Sequence, residues 1–353
     1  MRFIILLVFL APLLQGGVGG GLLAQTPALP QSKSILLMNG VAHLGNGKVI
    51  ENSAIGFKDG KINLVADATT IRLLPGAYDT IINIAGKHVY PGFIAVNSTL
   101  GLNEIGAVRA TRDFAETGSY NPHVRSIISF NSDSKVTPTT RTNGILLTQV
   151  TPRGGIISGT SSIVELDGWS WEDMVMKTDD GIHMNWPGMF SRDWEKHDDP
   201  GTLPPLKKND NYEKQKNELK QFFSDARSYS ESANEEKNLR LEAMKGIFSG
   251  SKMLYVNVHY VKEIMDAVHF LKEAGVKKMV IVGGKDSWMV TDLLKENNIP
   301  VMLPCVHSLP GSADADIDLP YKLPSLLQKA GVLFCLNNSD EPAQVRNLPF
   351  LAG

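Results

Sequence analysis

The spacing of apolar residues divides the chain into two parts with different rhythms. Over residues 34–87, short apolar runs are separated by the sequences Asn-Gly, Gly-Asn-Gly and Lys-Asp-Gly. Glycine and asparagine adopt the positive φ angles of tight turns at little cost, so these sequences are typical of connections between antiparallel strands. The pattern predicts a small antiparallel β-module that needs a packing partner to be stable.

From residue 251 onward, strand-like and helix-like runs alternate. The runs KMLYVNV, KKMVIVGG, IPVML and VLFCLN are apolar on both faces, and amphipathic helical segments separate them. This alternation indicates βαβ units and a buried parallel sheet. Earlier strand-like runs are HVYPGFIAV, GILLTQVTP and SGTSSIVELDG, and residues 210–248 predict one or two amphipathic helices. An α/β fold is therefore predicted, although periodicity alone does not distinguish a barrel from an open sheet.

The first residues have the pattern of an export signal. Met1 and Arg2 provide a short positive start, and the apolar run over residues 3–14 is shorter than a bilayer span. A small-residue cleavage site at Ala24 predicts a signal peptide over residues 1–24 and a linker over residues 25–33. An uncleaved membrane anchor is the alternative. We expect the mature protein to have no membrane span and to be exported, either periplasmic or secreted.

The composition is that of a globular protein, and it does not indicate a particular reaction. The 353 residues are 42% hydrophobic, which is enough for a buried core, and the net charge of -2 provides no strong field for nucleic acid. The sequence has no basic patch with interleaved aromatic residues, so nucleic-acid binding is not predicted. The two cysteines, Cys305 and Cys335, could form a disulfide in an exported protein or remain buried thiols.

Three stretches carry a resemblance to a known family. They are GKHVYPGFI at residues 86–94, AVRATRDFAETGSYNPHVRSI at 107–127 and GGIISGTSSIVELDGW at 154–169. Together with the preceding β-module they resemble the metal-dependent amidohydrolase superfamily, in its branch of imidazolonepropionase-related exported proteins. The resemblance implies a TIM-like (β/α)8 barrel over residues 88–353 and a small β-sandwich module over residues 34–87. It also implies that the chain ends before the last barrel helix, which would leave the barrel incomplete at the C-terminus.

The resemblance implies a divalent metal such as zinc, but the expected ligand positions are substituted. Where the family has two histidines at the end of the first barrel strand, this chain has Asn97 and Thr99. Asn257 and the pair Gly283/Gly284 stand where two further histidines are expected, and Asp340 is the only matched ligand. Amide and hydroxyl oxygens bind Zn²⁺ less well than imidazole does. A non-standard or lost metal site is therefore expected.

Two residues remain as candidates for catalysis. Asp340 follows a predicted strand and could be a general base, whereas a carboxylate there also suits a helix cap or a turn. His259 could replace a lost ligand or act as a base, and the simpler interpretation is a surface histidine at a helix start. The predicted substrate-binding residues are polar and lie at strand ends or in loops: Asn97, Thr99, Glu104, Arg109, Arg141 and Asn257. A self-satisfied turn and a surface ion network are the alternatives for these positions.

Two functions are compatible with these observations. By resemblance, the chain is a hydrolase of carbon–nitrogen bonds other than peptide bonds, acting on a small cyclic amide or a related substrate. The alternative is a non-catalytic barrel that binds a small molecule, or that forms an oligomer with itself or with an active homologous subunit. The substituted ligand positions favour the second function, and the family resemblance favours the first.

Overall fold

The computed structural model describes residues 27–192, 204–232, 236–308, 316–338 and 342–353. The chain divides into two compact units, with the boundary between residues 93 and 94. The sequence pattern placed this boundary six residues earlier, at the end of the region 34–87. The predicted signal peptide lies outside the described residues.

The first unit is a single sheet of five strands. They are β1 (Ile35–His43), β2 (Val49–Lys58), β3 (Lys61–Asp67), β4 (Thr80–Asn83) and β5 (His88–Val89). The first three form an antiparallel meander, whereas β4 and β5 both pair with β1 in parallel. The expectation of a purely antiparallel module is therefore corrected, because the segment between β3 and β4 is long enough for a parallel return. The described strands of this unit form one layer.

The three predicted turns have different outcomes. The hairpin between β2 and β3 turns at Asp59 and Gly60, which both have positive φ, and the β1–β2 hairpin contains Gly45 and Gly47 at positive φ. These two turns are confirmed. The Asn-Gly pair before them is not a turn, because Asn39 has a φ of 69° at a register shift inside β1. The same preference of asparagine for positive φ here produces a β-bulge.

The second unit is built on an eight-stranded sheet in the order β15-β14-β13-β12-β9-β8-β7-β6. Its strands are β6 (Phe93–Ser98), β7 (Ile145–Val150), β8 (Ile157–Glu165), β9 (Val175–Asn185), β12 (Met253–Val258), β13 (Met279–Gly283), β14 (Val301–Leu303) and β15 (Phe334–Leu336). A separate hairpin joins β10 (Phe190–Arg192) to β11 (Leu206–Lys208). The sheet belongs to a mixed α/β fold.

Eight α-helices accompany these strands among the described residues. They are α1 (Val136–Thr142), α2 (Trp171–Met174), α3 (Tyr212–Glu231), α4 (Leu239–Ser249), α5 (Val261–Glu273), α6 (Thr291–Glu296), α7 (Leu319–Ala330) and α8 (Leu348–Ala352). Glycines follow the ends of α5 and α7, where Gly275 and Gly331 have φ angles of 90° and 75°. None of the helices that the structure describes is long and apolar enough to cross a bilayer.

The sheet departs from an all-parallel barrel at β8, which runs antiparallel to both β7 and β9. Only residues 151–156 connect β7 to β8, and a parallel crossover needs a dozen or more residues. The short connection therefore forces an antiparallel strand into the sheet. The sequence pattern also missed β9, because Lys-Thr-Asp-Asp-Gly at residues 177–181 interrupts its apolar alternation.

The two faces of the sheet bury different kinds of residue. One face packs against α3 to α7 and forms the main apolar core, with Ile182, Met184, Leu254 and Val256 among its buried members. The other face carries an apolar cluster of Tyr255, Val280, Val282 and Met302, against which Val96 of β6 and Cys335 of β15 also pack. Because residues from the first and last strands of the order reach the same cluster, the sheet is curled around this inner face.

The inner face also contains a buried carboxylate. Asp180 is 5% exposed, and it accepts hydrogen bonds from Tyr255 Oη at 2.6 Å, Gln149 Nε2 at 3.0 Å and Lys177 Nζ at 2.6 Å. Burial and the negative charge of Asp180 raise the pKa of Tyr255, so its hydroxyl stays protonated and donates. Three donors from three strands therefore converge on one buried acceptor.

A buried Ser–His pair lies next to this carboxylate network. His183 Nε2 is 2.9 Å from Ser161 Oγ, and the imidazole stacks on Tyr255 with ring centroids 4.5 Å apart. Burial, with the charge of Arg153, lowers the pKa of His183 well below its ordinary value, so the ring is neutral. Both side chains are fully buried, and a substrate therefore has no access to the serine as a nucleophile.

We expect Tyr255→Phe to destabilise the protein by about 1–3 kcal/mol, because it leaves one lone pair of a buried carboxylate without its donor. Urea unfolding followed by circular dichroism measures the free energy of unfolding. Tyr321→Phe, which removes an exposed hydroxyl from α7, is the control and should change stability by under about 0.5 kcal/mol. Equal effects of the two substitutions would contradict a structural role for the Tyr255–Asp180 bond.

Candidate functional site

A cavity of about 290 Å³ lies at the carboxyl ends of the strands of the second unit, the end at which barrel enzymes place their active sites. Its walls come from residues at or just beyond the ends of β6, β7, β9, β12, β13, β14 and β15. The lining residues are Asn97, Arg153, Asn185, Asn257, His259, Val282, Gly283, Pro304, Cys305 and Asn337. Three of the residues predicted from sequence, Asn97, Asn257 and His259, are thus brought together.

Asn97 is held in an unusual backbone conformation at one wall of the cavity. Its φ is 51°, in the left-handed region that asparagine tolerates better than most residues. Its backbone N–H donates to Gln149 Oε1 at 2.9 Å, and Arg153 donates to both its Oδ1 and its backbone oxygen at 2.5 Å. Since Gln149 also donates to Asp180, a continuous series of hydrogen bonds links the buried carboxylate to Arg153 in the cavity wall.

Two further asparagines present amide groups to the cavity. Asn185 Nδ2 donates to Gly155 O at 2.8 Å, and Asn257 Nδ2 donates to Met184 O at 3.2 Å. The Nδ2 atom of each amide therefore donates to a backbone carbonyl oxygen. Within the described residues neither Oδ1 accepts a hydrogen bond, so both can accept one from a ligand.

His259 occupies the space in which a residue larger than glycine at position 283 would stand. A Cβ on Gly283 would lie 2.4 Å from His259 Cε1 and 2.5 Å from its Nδ1, and the φ of Gly283 is 96°. A histidine at position 283 is thus excluded on two grounds, a steric overlap and an unfavourable backbone angle. His259 fills the space beside this strand end.

The imidazole of His259 is neutral at physiological pH. The atoms packed around it, followed by the positive charge of Lys285, lower its pKa to about 4 from the ordinary value of 6.5. The ring nevertheless remains open to the cavity. A neutral imidazole has one donor and one acceptor nitrogen. His259 can therefore donate a hydrogen bond to a ligand oxygen or accept one from a ligand N–H or O–H group.

The donor atoms around the cavity do not fit a zinc ion. The described lining residues offer amide oxygens, one imidazole and one thiol, but no carboxylate. In the part of the chain that the structure describes, no group of three or more His, Cys, Asp or Glu is placed to hold a metal ion. Protein zinc sites use imidazole, thiolate and carboxylate ligands. Asp340, the one ligand position that the resemblance matches, lies outside the described residues, so its predicted catalytic role stays a prediction.

The other predicted substrate-binding residues do not line this cavity. Thr99 is 7% exposed, and it lies in the turn after β6, where its carbonyl accepts a bond from Leu102 N. Glu104 accepts bonds from Asn131 and Ser134. These contacts order the long loop between β6 and β7.

The two arginines of that set also lie in loop structure. Arg109 begins a short 3-10 helix, Arg109–Thr111, and its side chain is exposed. Arg141 at the end of α1 forms an ion pair with Asp167 and donates to Leu166 O at 3.2 Å. Arg141 is thus held by Asp167 and by a backbone carbonyl.

Several residues of the cavity were not identified from the sequence. Arg153 directly follows a predicted strand and Asn337 is the last residue of another, so the rule that strand ends point into the barrel mouth could have found them. Asn185 ends β9, a strand that was not predicted. Both cysteines are free thiols, with Cys305 at the cavity and Cys335 on the inner face, where burial raises its pKa to about 11.

We expect the ¹H signal of His259 Cε1 to titrate near pH 4, well below the ordinary range for histidine. Lys285→Met removes a nearby positive charge and should raise this pKa. Because the lowered pKa means that the unfolded state binds more protons between about pH 4 and 6.5, the free energy of unfolding should fall as the pH drops through this window. His259→Gln assigns the signal and should remove its contribution. A pKa near 6.5 in the wild type would contradict the effect of the atoms around the ring and of Lys285 on this histidine.

Gly283→Ala should displace the His259 ring from the cavity wall, because the new Cβ and the imidazole cannot occupy the same space. The pKa of His259 is then expected to rise toward 6.5, and stability to fall by about 1–2 kcal/mol from the positive φ. Gly353→Ala at the exposed chain end is the control. An unchanged His259 titration in Gly283→Ala would show that the ring does not depend on this glycine.

Comparison with known proteins identifies the fold. No protein-family model matches the sequence, and no curated protein matches it. Among solved structures, an amidohydrolase from Thermotoga maritima is similar over 90% of this chain and 82% of its own chain, with a TM-score of 0.75 at 20% identity. The ochratoxinase of A. niger covers 90% of this chain and 78% of its own at 14% identity, but its TM-score of 0.43 supports no argument. This chain therefore has the fold of an amidohydrolase.

Proposed function

We propose that this chain is an amidohydrolase-superfamily protein of the imidazolonepropionase-related branch, whose cavity binds a small polar molecule without the zinc site of the family. The observation that carries this proposal is the chemistry of the cavity wall. Side-chain amides, a neutral imidazole and an arginine already bound to Asn97 surround a space of about 290 Å³. Such a wall suits hydrogen bonding to an uncharged or weakly charged ligand.

A cyclic amide matches this wall better than a hydrocarbon or a polyanion does. Its ring N–H groups can donate to the free Oδ1 atoms of Asn185 and Asn257, and its carbonyl can accept from a protonated nitrogen of neutral His259. A bound ligand would exclude water from these side chains, and each contact replaces a hydrogen bond to water that the side chain would lose. The family resemblance independently favours the same class of ligand.

Hydrolysis of a carbon–nitrogen bond is the second candidate function. The position of His259 favours it, because a neutral imidazole at a barrel mouth can accept a proton from water during attack on a carbonyl. With a pKa near 4, however, this imidazole is a weak base. Asp340 is the other candidate, and we propose it as the general base if the protein is a hydrolase.

Export is proposed from the sequence pattern of residues 1–24. The signal-like pattern supports a periplasmic or secreted protein, in which the cavity would meet extracytoplasmic small molecules. Pairing with an active homologous subunit is compatible with a binding role, since a non-catalytic barrel can stabilise a related one.

The experiment that tests the proposed function measures binding and turnover separately. Saturation-transfer NMR with hydantoin and 2-pyrrolidone as probes reports binding, and product formation is followed with and without added Zn²⁺. We expect binding that does not require zinc, no turnover, and affinity reduced about tenfold in Asn257→Leu because one hydrogen bond is lost. The control is Gln221→Leu, an exposed amide on α3.

Three outcomes separate the candidates. Binding without turnover supports the proposed function. Turnover that depends on a stoichiometric metal would overturn the zinc-free binding role and establish the hydrolase. Absence of both binding and turnover for every probe would overturn the assignment of cyclic amides as ligands.

A further inference from the structure

A second and larger cavity lies at the amino ends of the strands. Its volume is about 700 Å³, and it is bounded by the first residues of β12 and β13 and by the turns that precede β14 and β15. Four lysines line it, Lys272, Lys277, Lys278 and Lys295, whereas no carboxylate does. Its charge is thus positive, although the whole chain has a net charge of -2.

The four ammonium groups are not neutralised by acidic neighbours. Within the described residues none of them is paired with a carboxylate, and the ion pairs found there involve arginines and other lysines. Lys272 donates instead to the side-chain oxygen of Asn297. A Cβ on Gly331 would lie 3.5 Å from Lys295 Nζ, so this ammonium lies directly beside the turn before β15.

Lysines at this end could simply compensate the negative ends of helices α5, α6 and α7. The last carbonyls of these helices, however, already accept bonds from the turns that follow. Gly275 N bonds to Lys272 O at 3.0 Å, Asn298 N bonds to Lys295 O at 3.1 Å, and Gly331 N bonds to Gln328 O at 3.0 Å. The lysine side chains are therefore not required to cap the helices. Moreover, Lys277 and Lys278 precede β13 and belong to no helix.

The floor of this cavity is apolar. Met253, Met279, Ile299 and Val332 contribute to it, and Leu333 is 75% exposed although it directly precedes β15. An exposed leucine that lines the same cavity as four lysines presents apolar and cationic surface to the same ligand. Chemistry of this kind suits a molecule with a hydrocarbon body and an anionic head.

We infer that the lysine-lined cavity at the amino ends of β12 to β15 binds an amphipathic anion of the long-chain carboxylate class. The anionic head contacts the ammonium groups of Lys277, Lys278 and Lys295, and the hydrocarbon chain covers Leu333 and the floor. This site is separate from the cavity at the carboxyl ends, and it does not rest on the function proposed there.

Isothermal titration calorimetry of the full chain with sodium dodecanoate, kept below its micelle concentration, tests the inference. We expect saturable one-site binding that weakens as salt is raised. Lys277→Gln/Lys295→Gln should weaken it about tenfold by removing two nearby charges. Lys48→Gln/Lys61→Gln, with the same charge change in the first unit, is the matched control and should bind as the wild type does.

Leu333→Glu provides a second variant that preserves folding, because the side chain it replaces is exposed. It places a charged carboxylate where the hydrocarbon chain of the ligand is proposed to lie, and it should abolish dodecanoate binding. Loss of stability in the lysine variant with unchanged dodecanoate affinity would assign the lysines to helix stabilisation and overturn the inference. Equal affinity for uncharged dodecanol, equal affinity for inorganic phosphate, or no saturable binding would also overturn it.

Discussion

The carboxylate of Asp180 is the constraint on which the interior of the second unit depends. A buried charge is tolerated only when hydrogen bonds replace the water it has lost, and the three donors to Asp180 come from β7, β9 and β12. Gln149 and Tyr255 can reach it only if their strands hold the register seen in the sheet. A single polar group therefore specifies the relative positions of several strands, which a purely apolar interior would specify less strongly.

The same network determines the shape of the cavity above it. Gln149 uses its amide nitrogen for Asp180 and its oxygen for the backbone of Asn97, which places Asn97 at positive φ and turns its side chain to Arg153. On the opposite wall, Gly283 leaves room for His259. Asn97 and Gly283 are thus parts of a packed and hydrogen-bonded wall. A histidine introduced at position 283 would require His259 to move.

Periodicity predicted the βαβ part of the fold well because buried parallel strands such as β13 are apolar on both faces, and because glycines end α5 and α7. It failed at β9, where Asp180 and His183 are buried by hydrogen bonds and stacking that no local pattern reveals. It also treated Asn39 and Gly40 as a turn, since one preference for positive φ serves both turns and bulges. For the cavity, strand-end position identified Asn97, Asn257 and His259. The partners of Asn97 and Asn257 lie more than 50 residues away in sequence, as Arg153 does from Asn97, and local sequence does not reveal them.

The polarity of a largely parallel sheet gives its two ends different chemistry. At the carboxyl ends, the side chains follow strands and are held by backbone carbonyls or by one another, which leaves neutral acceptors in a small cavity. At the amino ends, each of the strands β12 to β15 follows the C-terminus of a helix, where lysine is favoured in the last turn, as in Lys272 and Lys295. Two of the four positive charges at the cavity are therefore also favourable for the helices that carry them. Lys277, Lys278 and exposed Leu333 do not belong to a helix, so helix stability gives no reason for their presence at the cavity. Binding of a ligand would give one.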